Sequence, residues 1–234
     1  MTGSYDVVFL SYDEPLADEL YRLLTATFGT VRRVHGVHGM RQAYLRTSAV
    51  ASTDAYFIAD GDFEIAPSFR PQDVQPLPDG VAMRVWQTEN AVNGLRYGYG
   101  GLKLCRRVAI AAMQPRVDVL AGLPGRVEFV PQVAGRTRFN QSPRHAWRAG
   151  FRECAMLARG CEYGMTAASA KRRIDRWLAG GSAPYAAWSV RGARDGLAFA
   201  GATAPDDTDR WENLNRPAWL DRHFWQNFGR GELS

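Results

Sequence analysis

The sequence is poor in cysteine and lysine and contains no long apolar run. Its three cysteines, Cys105, Cys154 and Cys161, are odd in number and form no Cys-x-x-Cys pair, which argues against a disulfide framework and against a thiolate zinc site. Cys154 and Cys161 are seven residues apart and so fall on one helical face, a spacing that reads as packing. There is no run of eighteen apolar residues and no basic start leading into an apolar segment. Neither a transmembrane span nor a secretory signal is therefore read, and a cytoplasmic protein with no membrane partner is expected. Also missing are a Gly-x-Ser-x-Gly elbow, a Walker loop and a Gly-x-Gly-x-x-Gly turn after the first strand. These absences count against a serine hydrolase, a phosphate-loop kinase and a common dinucleotide binder.

What is present is material for one sizeable core: 234 residues, 46% of them hydrophobic, suggest a single domain. Only Lys103 and Lys171 are lysines, so nearly all of the 29 basic side chains are arginine, the residue that grips phosphate in a planar two-point fork. The charge is uneven. Residues 1–80 hold 6 basic and 11 acidic side chains, residues 81–195 hold 19 and 7, and residues 196–234 hold 4 and 6. The basic middle fits a polyanionic partner and equally a solvated arginine-rich surface.

Tyr5–Leu10 is a short Val-rich apolar run that predicts a buried strand ending in Ser11, Tyr12 and Asp13. Asp13, Glu14 and Pro15 open a helix whose apolar face is Leu16, Leu20, Leu23, Leu24 and Phe28, stopped by Gly29. Val31–Val34 predicts a second strand running into His35-Gly36, Gln42–Ala51 a second helix, and Ala55–Ala59 a third strand running into Asp60-Gly61-Asp62. A β-α-β-α-β order predicts a parallel sheet flanked by helices, with ligands held beyond the carboxyl ends of the strands.

Residues 66–80 carry four prolines and read as a loop, and Val81–Trp86 and Arg126–Val130 read as strands. Between the two strands, Asn93–Leu104 sets four glycines among two tyrosines, a composition that brings backbone close to a ligand or makes a tight bend. Ser142 caps and Pro143 starts a helix that buries Trp147, Phe151 and Cys154 and lines its other side with Arg144, Arg148, Arg152 and Arg159. Residues 168–178 form a second basic helix and Pro217–Phe228 an aromatic one.

Asp60 and Asp62 can turn to one side because Gly61 allows a sharp bend. Two carboxylates so placed suit a hard divalent ion such as Mg²⁺ or Mn²⁺, which holds a diphosphate as a leaving group. Alone, Asp-Gly-Asp also reads as a plain turn, but a hairpin does not belong where a parallel topology needs a crossover. His35 and His38 have no third ligand at a short spacing, so a histidine metal site is not read.

The segments FLSYDEP (9–15), RVHGVHG (33–39), the strand with Asp60-Gly61-Asp62, VNGLRYGYGGLKL (92–104) and FNQSPRHAWRAGFRECAML (139–157) together resemble phage glycosyltransferases of the GT-A fold. The likeness is to the TET-associated enzymes that decorate hydroxymethylated pyrimidines in DNA, and it covers roughly residues 5–160. The resemblance implies an α/β, Rossmann-type, mostly parallel sheet with flanking helices. It implies a nucleotide-sugar half at 1–66, an acceptor half at 81–195 and a C-terminal helical segment at 196–234. The implied donor is a nucleotide-sugar, UDP-linked by preference, with Mn²⁺ or Mg²⁺ on Asp60 and Asp62. Ser11, Tyr12, Asp13, Arg33, His35 and Gly36 would flank the nucleotide, together with Asp60 and Gly61. Asp62 and Glu153 would be the catalytic carboxylates, Glu153 as the acceptor's base, although as a helical Glu beside Arg152 it also reads as a surface ion pair.

The implied acceptor is DNA carrying 5-hydroxymethylcytosine or 5-hydroxymethyluracil, in the cytoplasm of an infected bacterium. Tyr97, Tyr99, Gly100, Gly101, Lys103, Arg144, Trp147, Arg148 and Arg152 would contact it. Tyr97, Tyr99 and Trp147 would stack on bases, although Trp147 shares a helical face with Phe151 and so equally reads as core. The same fold acting on a glycan, lipid or protein, or serving as a silent nucleic-acid binder, remains open beside it.

Overall fold

The computed structural model describes residues 5–98, 101–160 and 163–229. The chain groups into two compact units: the described residues of segments 1–90, 96–115 and 122–138 build the first, and those of 91–95, 116–121 and 139–234 the second.

The first unit opens with β1 (Asp6–Ser11), α1 (Ala17–Phe28), β2 (Arg32–His35), α2 (Met40–Val50) and β3 (Ala55–Asp60), the expected order. Val7, Val8 and Phe9 are buried in β1, as a continuous apolar run requires of a central strand. The first helix starts at Ala17 rather than at Asp13. The Glu14 carboxylate accepts the Tyr12 N–H at 2.7 Å and its carbonyl accepts the Ala17 N–H, which makes Tyr12–Leu16 a tight loop instead of a first helical turn. Ala17, Leu20 and Leu24 face the sheet, whereas Leu23, expected beside them, is 41% exposed at the rim. Gly29 ends the helix with φ +84°, a conformation open to glycine.

After β3 come β4 (Phe63–Ile65), β5 (Val81–Asn90), β6 (Arg96–Tyr97), β7 (Leu102–Arg106), α3 (Arg107–Ala111) and β8 (Arg126–Thr137). The strands lie in the order β2-β1-β3-β7-β5-β8-β4, with β6 on β5. The α/β class stands, but the expectation of a mostly parallel sheet is corrected, because the sheet is mixed. β1 runs parallel to β2 and β3, and β5 to β8, while β7 is antiparallel to both β3 and β5, β4 to β8, and β6 to β5. The alternation that demands crossover helices ends at β3. Beyond it, among the described residues, no helix separates β5 from β7, and a short return lays strands antiparallel.

One face of this sheet packs Phe9, Phe57, Trp86 and Leu104 against Leu20 and Leu24 of α1, each such side chain contributing about 1.5–3 kcal/mol on burial. At the opposite end of β1, Asp6 is held by Arg32 and by the Ser52 and Thr53 N–H groups. Burial alone would raise its carboxyl, but the Ser52, Arg32 and Thr53 hydrogen bonds outweigh this and hold it down to about 2. With the folded value below the unfolded 3.8, this stabilisation is complete above about pH 4 and is lost as the pH falls towards 2. Thermal melts across that range should show an acid limb, which Asp6→Asn flattens.

The second unit is helical: α4 (Pro143–Arg159), α5 (Ala167–Ala179), α6 (Ala186–Gly201), α7 (Thr208–Glu212) and α8 (Pro217–Phe228). α4 starts as its sequence predicts, with the Ser142 hydroxyl accepting the His145 N–H at 3.2 Å and Pro143 in the first turn. α4 and α6 pack backbone to backbone through Gly150, Gly192 and Gly196. A Cβ at Gly192 would lie 2.0 Å from the Trp147 carbonyl oxygen. Gly192→Ala must therefore push the helices apart and is expected to cost about 2 kcal/mol or more, read by urea unfolding. Cys105 and Cys154 are buried free thiols, as read, and Cys161 lies outside the described residues. Among the described residues no helix is long and apolar enough to cross a membrane.

Candidate functional site

The carboxyl ends of three parallel strands meet in the first unit. Ser11 of β1 pairs in register with His35 of β2, and Leu10 with Asp60 of β3. The buried Ser11 hydroxyl lies 3.0 Å from His35 Nδ1 and accepts the Arg33 Nε–H at 3.1 Å. The hydroxyl, with one proton and two lone pairs, can accept from Arg33 and also pair with Nδ1, so it ties both side chains to the end of β1. Arg33 also donates to Asp18, holding that carboxyl below its usual range, and its guanidinium lies over the Phe9 and Tyr21 rings. Tyr12, Asp13, Glu14, Arg33 and His35 line a cleft of about 630 Å³, a size that takes a small-molecule ligand.

Gly61 closes one side of this edge. A Cβ there would lie 2.5 Å from Glu14 Oε2 and 2.9 Å from the Ser11 Cβ, so the β1–α1 loop can approach only a glycine. Asp60-Gly61-Asp62 is not a hairpin turn, because β3 and β4 are not neighbours in the sheet. The Asp62 carbonyl accepts the Arg138 N–H at 2.7 Å, and Arg138 pairs with Glu64 at 2.6 Å.

Asp60 is held from within. Its Oδ1 receives the Lys103 ammonium at 2.6 Å, and Lys103 is wholly buried whereas Asp60 is one-third exposed (33%). The ammonium lies 5.3 Å from the centre of the Tyr44 ring. Burial alone would lower the Lys103 value, but Asp60 and Tyr44 more than offset it, and the group is raised above its usual range. Burial pushes Tyr44 up to about 12. Asp60 and Asp62 supply hard oxygen donors of the kind Mg²⁺ and Mn²⁺ take. Among the described residues they form no cluster of three or more metal-ligating side chains. Two carboxylates leave the remaining positions of a six-coordinate ion to other oxygen ligands.

The residues expected to meet an acceptor are placed differently. Lys103 is a buried ion-pair partner, which removes it from any DNA-facing surface. Tyr97 is buried, and Gly101 packs on the Phe63 ring. Tyr99 and Gly100 lie outside the described residues. In the second unit Trp147 has no exposed surface; its Nε1–H donates to Asp195 at 2.8 Å and its ring stacks on Phe151 at 4.7 Å. It is core and presents no ring face to a base. Arg144 pairs with Asp221, and Arg152 donates to the Leu214 carbonyl and to Asn215 Oδ1, both at 3.0 Å. Arg148 is partly exposed. Glu153 lies within α4, largely buried, 3.9 Å from Arg173.

Sequence reasoning missed Glu14 as the residue that packs on Gly61, and Lys103 with Tyr44 as the support of Asp60. The signal for Lys103 was there: one of only two lysines, set between Leu102 and Leu104 in an apolar strand. Comparison of the chain with protein-family models, with curated proteins and with solved structures finds no match.

Proposed function

We propose that the protein is a metal-dependent glycosyltransferase that moves a sugar from a nucleotide-sugar to the hydroxymethyl oxygen of a 5-hydroxymethylpyrimidine in DNA. The observation that carries the reading is the Asp60-Gly61-Asp62 bend at the carboxyl end of a strand in the parallel part of the sheet, with an open cleft at the neighbouring strand ends. Sheets of this kind hold nucleotides at that edge. A bound divalent ion would neutralise the departing diphosphate.

The chain's own residues then do the rest. Ser11 fixes His35 and Arg33 at the cleft wall, where an imidazole and a guanidinium suit the oxygen-rich ribose and phosphates of a donor. Gly61 lets the β1–α1 loop pack closely on the acidic bend, where Asp60 and Asp62 would hold the ion.

The test is direct: incubate the protein with hydroxymethylated duplex DNA, a panel of nucleotide-sugars and Mn²⁺, digest to nucleosides and weigh them. A sugar-sized gain on the hydroxymethylpyrimidine with one donor is expected, and no gain with any donor rejects the reading.

A second reading keeps the donor and replaces DNA by a glycan, lipid or protein acceptor. It is favoured by the engagement of Arg144, Arg152 and Lys103 inside the protein. Salt separates the two. A DNA acceptor requires the log–log salt dependence of binding to fall with a slope of about −0.9 for each phosphate neutralised. Binding to hydroxymethylated DNA by anisotropy should show a slope of several units, and a flat line favours the second acceptor class.

A further inference from the structure

A lysine with no exposed surface in the middle of a sheet is a costly choice, because an ammonium surrenders its hydration there and an aliphatic side chain would fill the same space. Lys103 sits opposite Ile58 on β3 and Val85 on β5, both strands of the sheet interior. Asp60 lies two residues beyond Ile58, on the same face of β3, and the lysine reaches along the strand to its Oδ1 at 2.6 Å. Tyr44 of α2 lies over the ammonium, with its own hydroxyl kept neutral by burial. The cation therefore cannot swing out to a ligand. Its reach ends at Asp60, one of the two carboxylates of the acidic bend.

We infer that Lys103 is the positioning residue and built-in counter-charge of Asp60, so that a divalent ion binds this edge only together with the diphosphate of the donor. The inference rests on the nucleotide-sugar reading and says which component of the site is regulated. An ion approaching Asp60 meets a carboxylate whose charge is already cancelled and a fixed positive charge behind it, and in a poorly screened interior that repulsion is strong. A diphosphate brings the negative charge that the bend withholds. The lysine thereby also holds the Asp60 carboxylate in one orientation before either ligand arrives.

The test follows free Mn²⁺ by electron paramagnetic resonance in the intact protein, with and without UDP, after subtraction of the Mn²⁺–UDP complex formed in solution. In the wild-type protein UDP should tighten Mn²⁺ binding by about tenfold or more. Lys103→Met removes the charge and the hydrogen bond. Lys103→Gln removes the charge and keeps an N–H for Asp60, which separates electrostatics from geometry. Both variants should bind Mn²⁺ alone about tenfold more tightly than wild type, with the enhancement by UDP reduced to match. Where a variant melts near the assay temperature, a rise of its melting temperature with Mn²⁺ that exceeds the wild-type rise reads the same effect. Equal Mn²⁺ affinity with and without UDP in the wild-type protein, or no gain in either variant, overturns the inference and leaves the nucleotide-sugar reading in place. Failure of UDP to bind at any Mn²⁺ concentration overturns that reading and this inference with it.

Discussion

Truncating Trp147 to alanine is expected to lower the unfolding free energy by about 3–5 kcal/mol, the largest loss of any single apolar truncation proposed for the second unit. The indole has no exposed surface, stacks on Phe151 at 4.7 Å, and meets the Phe224 and Phe228 rings edge-on at 5.5 and 6.1 Å. Alanine would leave a cavity among rings that α4, α6 and α8 hold from different directions, so the gap cannot collapse without moving helices. It would also leave Asp195 without the Nε1–H donor at 2.8 Å. Trp147→Phe separates the two contributions: most of the ring volume stays, the hydrogen bond goes, and a cost of about 1–3 kcal/mol is expected. Urea unfolding followed by far-ultraviolet circular dichroism measures both. A stacking role on DNA demands the opposite pattern, with stability kept and DNA affinity lost, so these variants decide between a core tryptophan and a base-binding one.

That residue also shows how far local sequence carries. Its spacing from Phe151 on a capped helix placed it inward, while the arginines on neighbouring positions suggested a surface for phosphate. Charge counting does not reveal that Arg144 and Arg152 face Asp221 and the Leu214 carbonyl of their own unit. The β-α-β-α-β opening was legible because a run such as Val7–Phe9, a helix of period 3.6 and a terminating Gly29 are local signals. The placement of β7 between β3 and β5 was not, because strand partners are chosen by long-range pairing and no residue of Leu102–Arg106 announces its neighbours. α6 escaped notice for another reason. Gly192 and Gly196 lower the helix propensity of Ala186–Gly201, whereas in the fold they allow α6 to reach the backbone of α4. In the site, Ser11, His35 and Asp60 could be read from strand ends alone. The partner of Asp60 lies 43 residues away across the sheet, where spacing rules give no guidance.

The two aspartates of the bend are therefore expected to respond differently to the same substitution. Asp62→Ala removes a half-buried carboxylate of the bend, and sugar transfer should fall by about 10²–10³-fold or more, as when a single charge-stabilising group is withdrawn from a reacting centre. Its stability should fall by less than that of Asp60→Ala, because the wholly buried Lys103 keeps its anion. Asp60→Ala should lose transfer and also stability, because it strands the wholly buried Lys103 ammonium without its anion. Removing one partner of a buried pair costs about 3–5 kcal/mol, and the one-third exposure of Asp60 (33%) sets the expectation near the lower end. Adding Lys103→Met to Asp60→Ala removes the stranded charge, so stability should return towards wild type while transfer stays lost. Urea unfolding and the nucleoside mass assay, run on the same three preparations, read both quantities. A stable Asp60→Ala would mean that Tyr44 alone can hold the ammonium. Recovery of transfer in the double variant would remove Asp60 from the chemistry and leave Asp62 as the carboxylate that binds the donor.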